Sequence, residues 1–384
     1  MPGKDLTAAA QGADVKRSSA GGTMKDRSFA YSMKGTVWRL PLGLRDRLLN
    51  RVCSRERRRF LIVRHPAKKA CFYDLILQWV AEHVPEIRGL FELQLLPYRL
   101  PADADYALHI PWLQDPVEEW SLTAYRQACQ LARQCDERGI PVVNRVEQLS
   151  NAVKSVSAQR LSAAGIRTPQ VRVIEDPKEF RRTRLGLELP LIVREDQGHA
   201  GVMLRADSED ELNKLPIERL RRPIAVELID VRSPQDGLFR KFRYVAAGSL
   251  GVPHHMQVTE HWITRGTIRV HTPEVDEQEI AYISRPEQFH ELFQRARRAL
   301  NLDVAAFDYG FDRQGHIVIW EANPFPHFHF PRGRLSYLAP AMHRTLAAVV
   351  HLYLEKAGLE IPQRLAAILD SPAVSRCMAA RRAA

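Results

Sequence analysis

The sequence predicts an α/β protein whose later part is built from α+β subdomains, and three observations support this class. Of the 384 residues, 45% are hydrophobic, which is typical of a globular protein with a large core. Up to about residue 143, short apolar runs alternate with helical patterns, which indicates a mostly parallel sheet. In the later part, longer segments alternate polar and apolar residues, which is typical of antiparallel strands.

The first folded part is an expected α/β pre-domain over residues 35–143, after a basic tail at 1–34 that is expected to be disordered because its apolar content is low. Apolar spacing and length distinguish its helices from its strands. In order, the expected elements are strand 60–65, helix 71–84, strands 91–100 and 105–112, helix 121–139 and strand 141–144.

Two further subdomains are expected over residues 144–230 and 231–370, followed by a second tail at 371–384. Glycines at helix ends and proline or polar turns between runs mark the boundaries of the elements. The expected elements are helix 150–166, strand 168–174, helix 176–187, a strand–turn–strand unit at 190–204, helix 208–215, strands 223–229, 239–250 and 254–264, helix 285–302, a hairpin at 307–323 and helix 338–359.

The net charge of +11 is concentrated at the start of the chain. Residues 1–69 hold 17 Lys/Arg against 5 Asp/Glu, and the remainder is nearly neutral, with 39 against 40. A basic tail can contact phosphate without reading sequence, so no specific nucleic-acid partner is expected. We also expect no membrane span, because no apolar run reaches about 18 residues.

Five widely spaced cysteines without a C-x-x-C pair fit reduced thiols better than a disulfide framework. No secretory signal is visible in the first thirty residues, and a cytoplasmic location is therefore expected. The sequence leaves the oligomeric state open, a homodimer included.

The hairpin at 307–323 carries the strongest chemical signal. Residues 312–315 have turn chemistry, which predicts that Asp308 lies across from Ile319 and diagonal to Glu321. Glu321 and Asn323 are two residues apart on one strand and should share a face. Two carboxylates and an amide oxygen suit a hard cation such as Mg²⁺ (or Mn²⁺) that arrives with substrate phosphates.

The order of these segments resembles the ATP-grasp superfamily of carboxylate–amine ligases, over roughly residues 60–350. The segments that carry the resemblance are VKSVSAQRLSAAGIRTP, LPLIVREDQGHAGVML, PIAVELID and LNLDVAAFDYGF…IVIWEANPFP, in this order after a small α/β pre-domain. The resemblance implies an ATP-grasp fold, with a pre-domain and two subdomains that grip the nucleotide. It also implies ATP and Mg²⁺ as cofactors and small-molecule or peptide carboxylates and amines as substrates.

The resemblance assigns roles to residues at matching positions. The phosphates of ATP would meet Lys154, Arg194 and the flexible loop formed by Gly198, His199, Ala200 and Gly201; the adenine slot would be lined by Glu227, Leu228 and Ile229, with Asp230 on the ribose; Arg243 would contact the transferred phosphate, and Asp308, Glu321 and Asn323 would bind the metal. Arg194 departs from the lysine that is usual in the family, and a planar fork replaces a compact ammonium there.

The segment after Asn323 is bulkier than the small residues and glycine that are common in the family. We expect it to form a wall of the substrate site, with Arg332, Arg334 and His327 as candidates for holding an anionic group. A metal site at His327 and His329, or an ordinary packed loop, are the alternatives.

The function expected from the resemblance is an ATP- and Mg²⁺-dependent ligase. It would activate a carboxylate as an acylphosphate and join it to an amine. A small-molecule kinase on the same fold and a catalytically degenerate nucleotide-binding module remain the alternatives. The absence of a G-x-x-x-x-G-K-[ST] motif argues against a P-loop NTPase.

Overall fold

The computed structural model describes residues 42–53, 58–65, 74–113, 116–197, 202–264, 268–326 and 328–377. The expected phosphate loop with Gly198, His199 and Gly201 lies outside the described residues, and so do His327 and the basic tail at 1–34.

In the first third of the chain the described helices alternate with strands. In the rest of the chain they lie in sequence between strands of the second and third sheets. The helices are α1 (Leu42–Leu49), α2 (Asp74–His83), α3 (Val117–Trp120), α4 (Leu122–Glu137), α5 (Lys154–Ala163), α6 (Pro177–Thr183), α7 (Glu209–Lys214), α8 (Pro273–Ile283), α9 (His290–Ala299), α10 (Ala339–Lys356) and α11 (Gln363–Leu369).

Twelve strands in the described part of the chain form three sheets. The strands are β1 (Arg59–Arg64), β2 (Phe91–Leu95), β3 (Tyr106–Trp112), β4 (Val171–Val173), β5 (Leu191–Glu195), β6 (Met203–Ala206), β7 (Pro223–Glu227), β8 (Phe239–Ala247), β9 (Leu250–Thr259), β10 (Val304–Phe311), β11 (Ile317–Asn323) and β12 (Ser375–Arg376).

The first sheet has the order β2-β1-β3, and both pairs are parallel, as the alternation of strands and helices predicts. Almost every residue of β1 and β3 is buried, which explains why these strands are continuous apolar runs. Two arginines and two aspartates form buried ion pairs beside this sheet: Arg45, Asp46, Arg64 and Asp74.

The second sheet has the order β4-β7-β5-β6 and is antiparallel throughout. On β5, Leu191 and Val193 face a small core of their own that includes Phe180, and Arg194 lies half-buried on the other face. The alternation of the strand therefore places Arg194 on the face opposite to this core.

The third sheet has the order β11-β10-β8-β9-β12 and is also antiparallel. One face of β8 and β10 packs on α9 through aromatic rings, with Tyr244 stacked on Phe293 at 4.6 Å and Phe293 tilted against Tyr309 at 4.8 Å between ring centroids. Helix α10 packs on the same sheet with many buried residues. The other face carries charged and polar side chains.

The prediction of a tail from residue 371 is wrong for residues 371–377. Ser375 and Arg376 pair with Gly251 and Leu250 at the edge of the third sheet, and the Cys377 N–H donates to the Ser249 carbonyl over 3.0 Å. This short strand follows a buried Ala373, a weak sequence signal because two residues carry no periodicity.

No helix in the described part of the chain is long and apolar enough to cross a membrane.

Candidate functional site

Four polar side chains form a row across four neighbouring strands of the third sheet. Glu321 on β11 lies opposite Asp308 on β10, Asp308 lies opposite Arg243 on β8, and Arg243 lies opposite His255 on β9. Directly paired residues project from the same face of a sheet, so the row is a continuous polar surface. The sheet brings together three of the residues that the sequence singled out and adds His255 to them.

The predicted register of the hairpin is wrong, by one residue next to the turn and by two residues at Asp308. We expected Asp308 to lie across from Ile319, but Tyr309 pairs with Ile319, and a bulge at Trp320 brings Glu321 opposite Asp308. The Trp320 ring lies against Gly310, where an added Cβ would come within 2.5 Å of it. The bulge therefore brings the two carboxylates closer together than a diagonal pair would be.

Asp308 is buried and is held by two cations from β8. Arg243 donates from Nε to Oδ1 over 2.6 Å and from its terminal nitrogen to Oδ2 over 2.9 Å, and Lys241 Nζ lies 3.2 Å from Oδ2. Burial alone would raise the pKa of Asp308, but the charges of Arg243 and Lys241 outweigh it and hold this pKa well below its ordinary value. Asp308 is therefore ionised at neutral pH.

The donor atoms of this hairpin fit a hard divalent cation. Asp308 accepts three hydrogen bonds, and an ionised carboxylate offers about four lone-pair sites, so one remains. The Asn323 Oδ1 atom accepts the Phe325 N–H over 2.9 Å and keeps a second lone pair. Together with the half-buried Glu321, these oxygen donors are the type that Mg²⁺ prefers.

Two histidines close the row on the side of β9. A bulge places His254 beside His255, with their Nδ1 atoms 3.3 Å apart, and the His254 ring stacks on Phe328. Burial, and after it the charge of Arg243, lowers the pKa of His254 to about 4. Both histidines are therefore neutral at pH 7, and the site gains no charge from them.

The segment after Asn323 packs more tightly than an exposed substrate loop. Phe325 and Phe328 are buried in the main core, and Phe330 lies against His343 of α10, with ring centroids 5.0 Å apart. Phe328, stacked on His254, brings this segment to the polar row. The aromatic residues that the sequence suggested as a substrate wall therefore contribute first to the core.

Of the two arginines expected to hold an anionic substrate, Arg334 is engaged within the chain. Its Nε and a terminal nitrogen each lie 2.9 Å from an oxygen of Asp276 on α8. Arg332 is exposed at the start of the following 3-10 helix. A role of either arginine in substrate binding stays a prediction.

Asp196 lies next to the two cations that we expected at the phosphates: it contacts Lys154 and follows Arg194 by two residues. Its carboxylate accepts the Ser155 N–H over 2.8 Å and the Ser155 hydroxyl over 2.7 Å at the start of α5, which satisfies part of the helix terminus. Lys154 Nζ lies 3.4 Å from the Asp196 main-chain oxygen, and Arg194 is two residues away on β5. The sequence reasoning missed Asp196, although an acidic residue just after a strand is a signal for a side chain that caps a neighbouring helix.

The linker expected to line the adenine slot begins where β7 ends. Glu227 is tied to Gln170 through its main-chain N–H and through its carboxylate, each over 2.9 Å, and Leu228 and Ile229 follow outside the strand. The Asp230 carboxylate lies 2.6 Å from Arg232 and 2.9 Å from Arg313. The hydrogen bond from Arg232 is the main cause that lowers the pKa of Asp230 to about 2.

The turn between β10 and β11 contacts Arg167 and Asp230, which flank strands of the second sheet in sequence. Arg313 reaches Asp230, Arg167 lies 2.8 Å from Asp312, and the Ile319 N–H donates to the Arg167 carbonyl over 3.1 Å. These contacts fix the hairpin relative to α5 and to the linker after β7. The candidate nucleotide and metal residues therefore belong to elements that touch one another.

Asn144 bonds to both ends of the hairpin of β10 and β11, and the sequence reasoning did not select it. Its side-chain amide donates to the carbonyls of Val304 and Pro324, and its oxygen accepts the N–H groups of Asp303 and Val304, over 2.7 to 3.0 Å. Asn144 has a left-handed backbone with φ of 46°, which asparagine tolerates better than most residues. A buried residue of this kind fixes the position of Asn323, which precedes Pro324.

The chain was compared with protein-family models, curated sequences and solved structures. No protein-family model and no curated protein sequence matches the chain. Among solved structures, the D-alanyl-alanine synthetase A of Vibrio cholerae has a TM-score of 0.51 at 13% identity, with 79% of this chain and 100% of that chain covered.

Two further solved structures have slightly lower similarity. The ATP-grasp ligase PsnB has a TM-score of 0.49 at 16% identity over 77% of this chain and 99% of its own, and the VanG D-Ala:D-Ser ligase of Enterococcus faecalis has 0.47 at 14% identity over 77% and 100%. The comparison with the Vibrio cholerae enzyme supports the fold: the chain has the ATP-grasp fold that its sequence motifs resemble.

Proposed function

We propose that this protein is an ATP- and Mg²⁺-dependent ligase that activates a carboxylate as an acylphosphate and joins it to an amine. The observation that carries the proposal is the polar row Glu321–Asp308–Arg243–His255, whose end at Glu321 lies two residues before Asn323 on β11. Solved structures that share the fold include ligases, which supports this class of reaction.

Glu321, Asp308 and Asn323 would hold Mg²⁺, which would neutralise charge on the phosphate oxygens when it is bound. Arg243 is the residue of this row that would stabilise the transferred phosphoryl group, because a guanidinium matches two oxygens of a phosphate. Lys154 and Arg194 would hold the remaining phosphates from the opposite subdomain. Glu227, Leu228, Ile229 and Asp230 would line the adenosine.

The protein's part in this reaction is positioning and charge compensation. Lys241 and Arg243 already share Asp308, so their charges lie close to the place where phosphate charge would develop. The acylphosphate forms when a substrate carboxylate oxygen bonds to the γ-phosphorus of ATP and the bond to ADP breaks. An amine nitrogen then bonds to the acyl carbon, and phosphate leaves.

The experiment that tests the proposal uses hydroxylamine as a general amine. Panels of amino acids, peptides and other carboxylates are incubated with ATP, Mg²⁺ and the protein, and any acylphosphate is trapped as a hydroxamate. A hydroxamate accompanied by equimolar ADP supports the ligase. ADP with a phosphorylated alcohol and no hydroxamate identifies a kinase instead, and absence of ATP turnover with every compound class would favour the degenerate module.

Glu321→Gln tests the site itself once a substrate is found. The variant should lower turnover about 100-fold or more, because it removes a charge that acts in the transition state. The exposed Glu360 gives a matched control, since Glu360→Gln changes the same atoms far from the hairpin. Equal turnover in the two variants would contradict the assignment of the metal ligands.

A further inference from the structure

His290, Glu291 and Cys377 form a cluster that the proposed ligase reaction does not use. One ligand atom from each of them lies within 4.8 Å of the others. His290 begins α9, Glu291 follows it, and Cys377 comes directly after β12. The cluster lies on the opposite side of the third sheet from the polar row, since Tyr244, which contacts it, follows Arg243 on β8.

We propose that His290, Glu291 and Cys377 bind a divalent transition metal ion, of which Zn²⁺ is the best fit. Imidazole, thiolate and carboxylate are the three ligand types that zinc takes, in tetrahedral sites with a water as the fourth ligand where the protein supplies three. A softer thiolate ligand argues against Mg²⁺ or Ca²⁺, which prefer oxygen donors.

The distance between sulfur and nitrogen agrees with a shared metal. The His290 Nε2 and Cys377 Sγ atoms are 3.5 Å apart. Zinc bonds of about 2.3 Å to sulfur and about 2.0 Å to nitrogen, meeting at a tetrahedral angle, separate the two ligand atoms by about 3.5 Å. The same distance would also allow a simple S–H···N hydrogen bond, so the metal must be tested directly.

The surroundings of His290 are those of a metal-binding histidine. The Nδ1 atom of its buried ring lies 2.6 Å from the Tyr244 hydroxyl; in the tautomer that carries the proton on Nδ1, this N–H donates to the Tyr244 oxygen and the Nε2 lone pair faces Cys377. Such a partner on the second nitrogen fixes the tautomer of a metal ligand. Tyr244 is itself immobilised between Phe293 and Gly251, where an added Cβ would overlap its hydroxyl.

Of the other two ligands, Cys377 is anchored to the fold and Glu291 is accessible to solvent. The Cys377 main chain is fixed by its hydrogen bond to Ser249, and its thiol is half-buried. Glu291 is exposed, so an ion can enter from solvent on its side. A bound ion would fasten the edge strand β12 to α9, and it would stabilise the folded chain in proportion to its free concentration.

Titration of the full-length chain with Co²⁺ under reducing conditions tests this site without any assay of ligase activity. We expect a thiolate-to-cobalt charge-transfer band in the near ultraviolet that saturates at one equivalent and disappears when Zn²⁺ is added. Cys377→Ser should abolish the band. Cys53→Ser, a change at another half-buried thiol, should leave it unchanged.

Tyr244→Phe removes only the hydroxyl beside His290 and should weaken Zn²⁺ binding, measured by competition with a chromophoric chelator, about 10- to 100-fold. Circular dichroism confirms that each variant is folded. A chain that shows no cobalt–thiolate band, or a band that persists in folded Cys377→Ser, would overturn the proposal and leave a cysteine–histidine hydrogen bond.

Discussion

Replacing Asn144 with alanine is expected to destabilise the fold strongly, because this one side chain makes four hydrogen bonds to the two ends of the hairpin of β10 and β11. Each buried neutral bond contributes about 1 kcal/mol net. The left-handed backbone, with φ of 46°, costs an alanine about 1 kcal/mol more. The two effects together predict a loss of about 3–5 kcal/mol in the free energy of unfolding.

The backbone part of this loss can be measured separately. Asn301 also has a left-handed backbone, with φ of 52°, but its side chain is exposed. Asn301→Ala should therefore cost only about 1 kcal/mol. Asn144→Gly relieves the backbone at position 144 and should retain most of the loss, since the side-chain bonds are still absent.

Urea unfolding followed by circular dichroism gives the stability of each variant, and hydrogen exchange of the peptide that contains Val304 reports on the hairpin itself. In Asn144→Ala the Val304 amide loses its acceptor and should exchange faster. If Asn144→Ala and Asn301→Ala were equally stable, the side-chain bonds would contribute nothing and the reasoning would be refuted.

Three further predictions concern pH, phosphate binding and the substrate loop. Burial lowers the pKa of His109, which is bonded to the Leu61 carbonyl, to about 4 from an ordinary 6.5, so His109 alone should contribute a fall of about 3 kcal/mol in stability as the pH drops from 6.5 through 4; urea midpoints that stay level in this window would contradict it. Arg194→Lys should keep the KM for ATP within about threefold, whereas Arg194→Met should raise it; an unchanged KM in Arg194→Met would remove the residue from the phosphate site. Arg332→Lys should raise the KM for the carboxylate substrate but not for ATP, and Arg334→Lys, at a guanidinium paired with Asp276, is measured beside it; a KM for the carboxylate that Arg332→Lys leaves unchanged would refute this role.

Much of the hairpin could be predicted because its local signals agree. The turn residues 312–315 and the alternation up to Asn323 place two strands that the structure has at Val304–Phe311 and Ile317–Asn323. The roles of Lys154 and Arg194 at the phosphates, taken from the resemblance, stay predictions; the structure brings Lys154 to the main-chain oxygen of Asp196, two residues after Arg194. These predictions rest on short stretches of sequence in which propensity and pattern point to the same structure.

The register of the hairpin could not be predicted in the same way. Next to the turn the pairing differs from the expected one by one residue, and one extra residue, Trp320, adds a second, so that Asp308 pairs with Glu321 and not with Ile319. A bulge depends on how a side chain packs against the neighbouring strands, here the Trp320 ring against Gly310. No local pattern distinguishes that arrangement from a regular ladder.

Contacts between distant parts of the chain could not be predicted from the sequence either. Asn144 bonds to Asp303 and Val304 across 159 and 160 positions, and a single asparagine between two segments carries no sign of such partners. The pairing of Asp308 with Arg243 depends on which strands become neighbours in the sheet. Sheet order is set by the packing of whole elements, so it follows from the fold and not from the residues of one strand.

Strand β8 supplies both proposed sites, from opposite faces. Lys241 and Arg243 face the carboxylates of the hairpin, whereas Phe242 and Tyr244 face the aromatic core and the cluster at His290. Because side chains alternate between the two faces of a strand, the proposed phosphate site and the proposed zinc site lie on opposite faces of one sheet. A change confined to the Tyr244 hydroxyl should affect metal affinity with the ATP site intact, so the two proposals can succeed or fail independently.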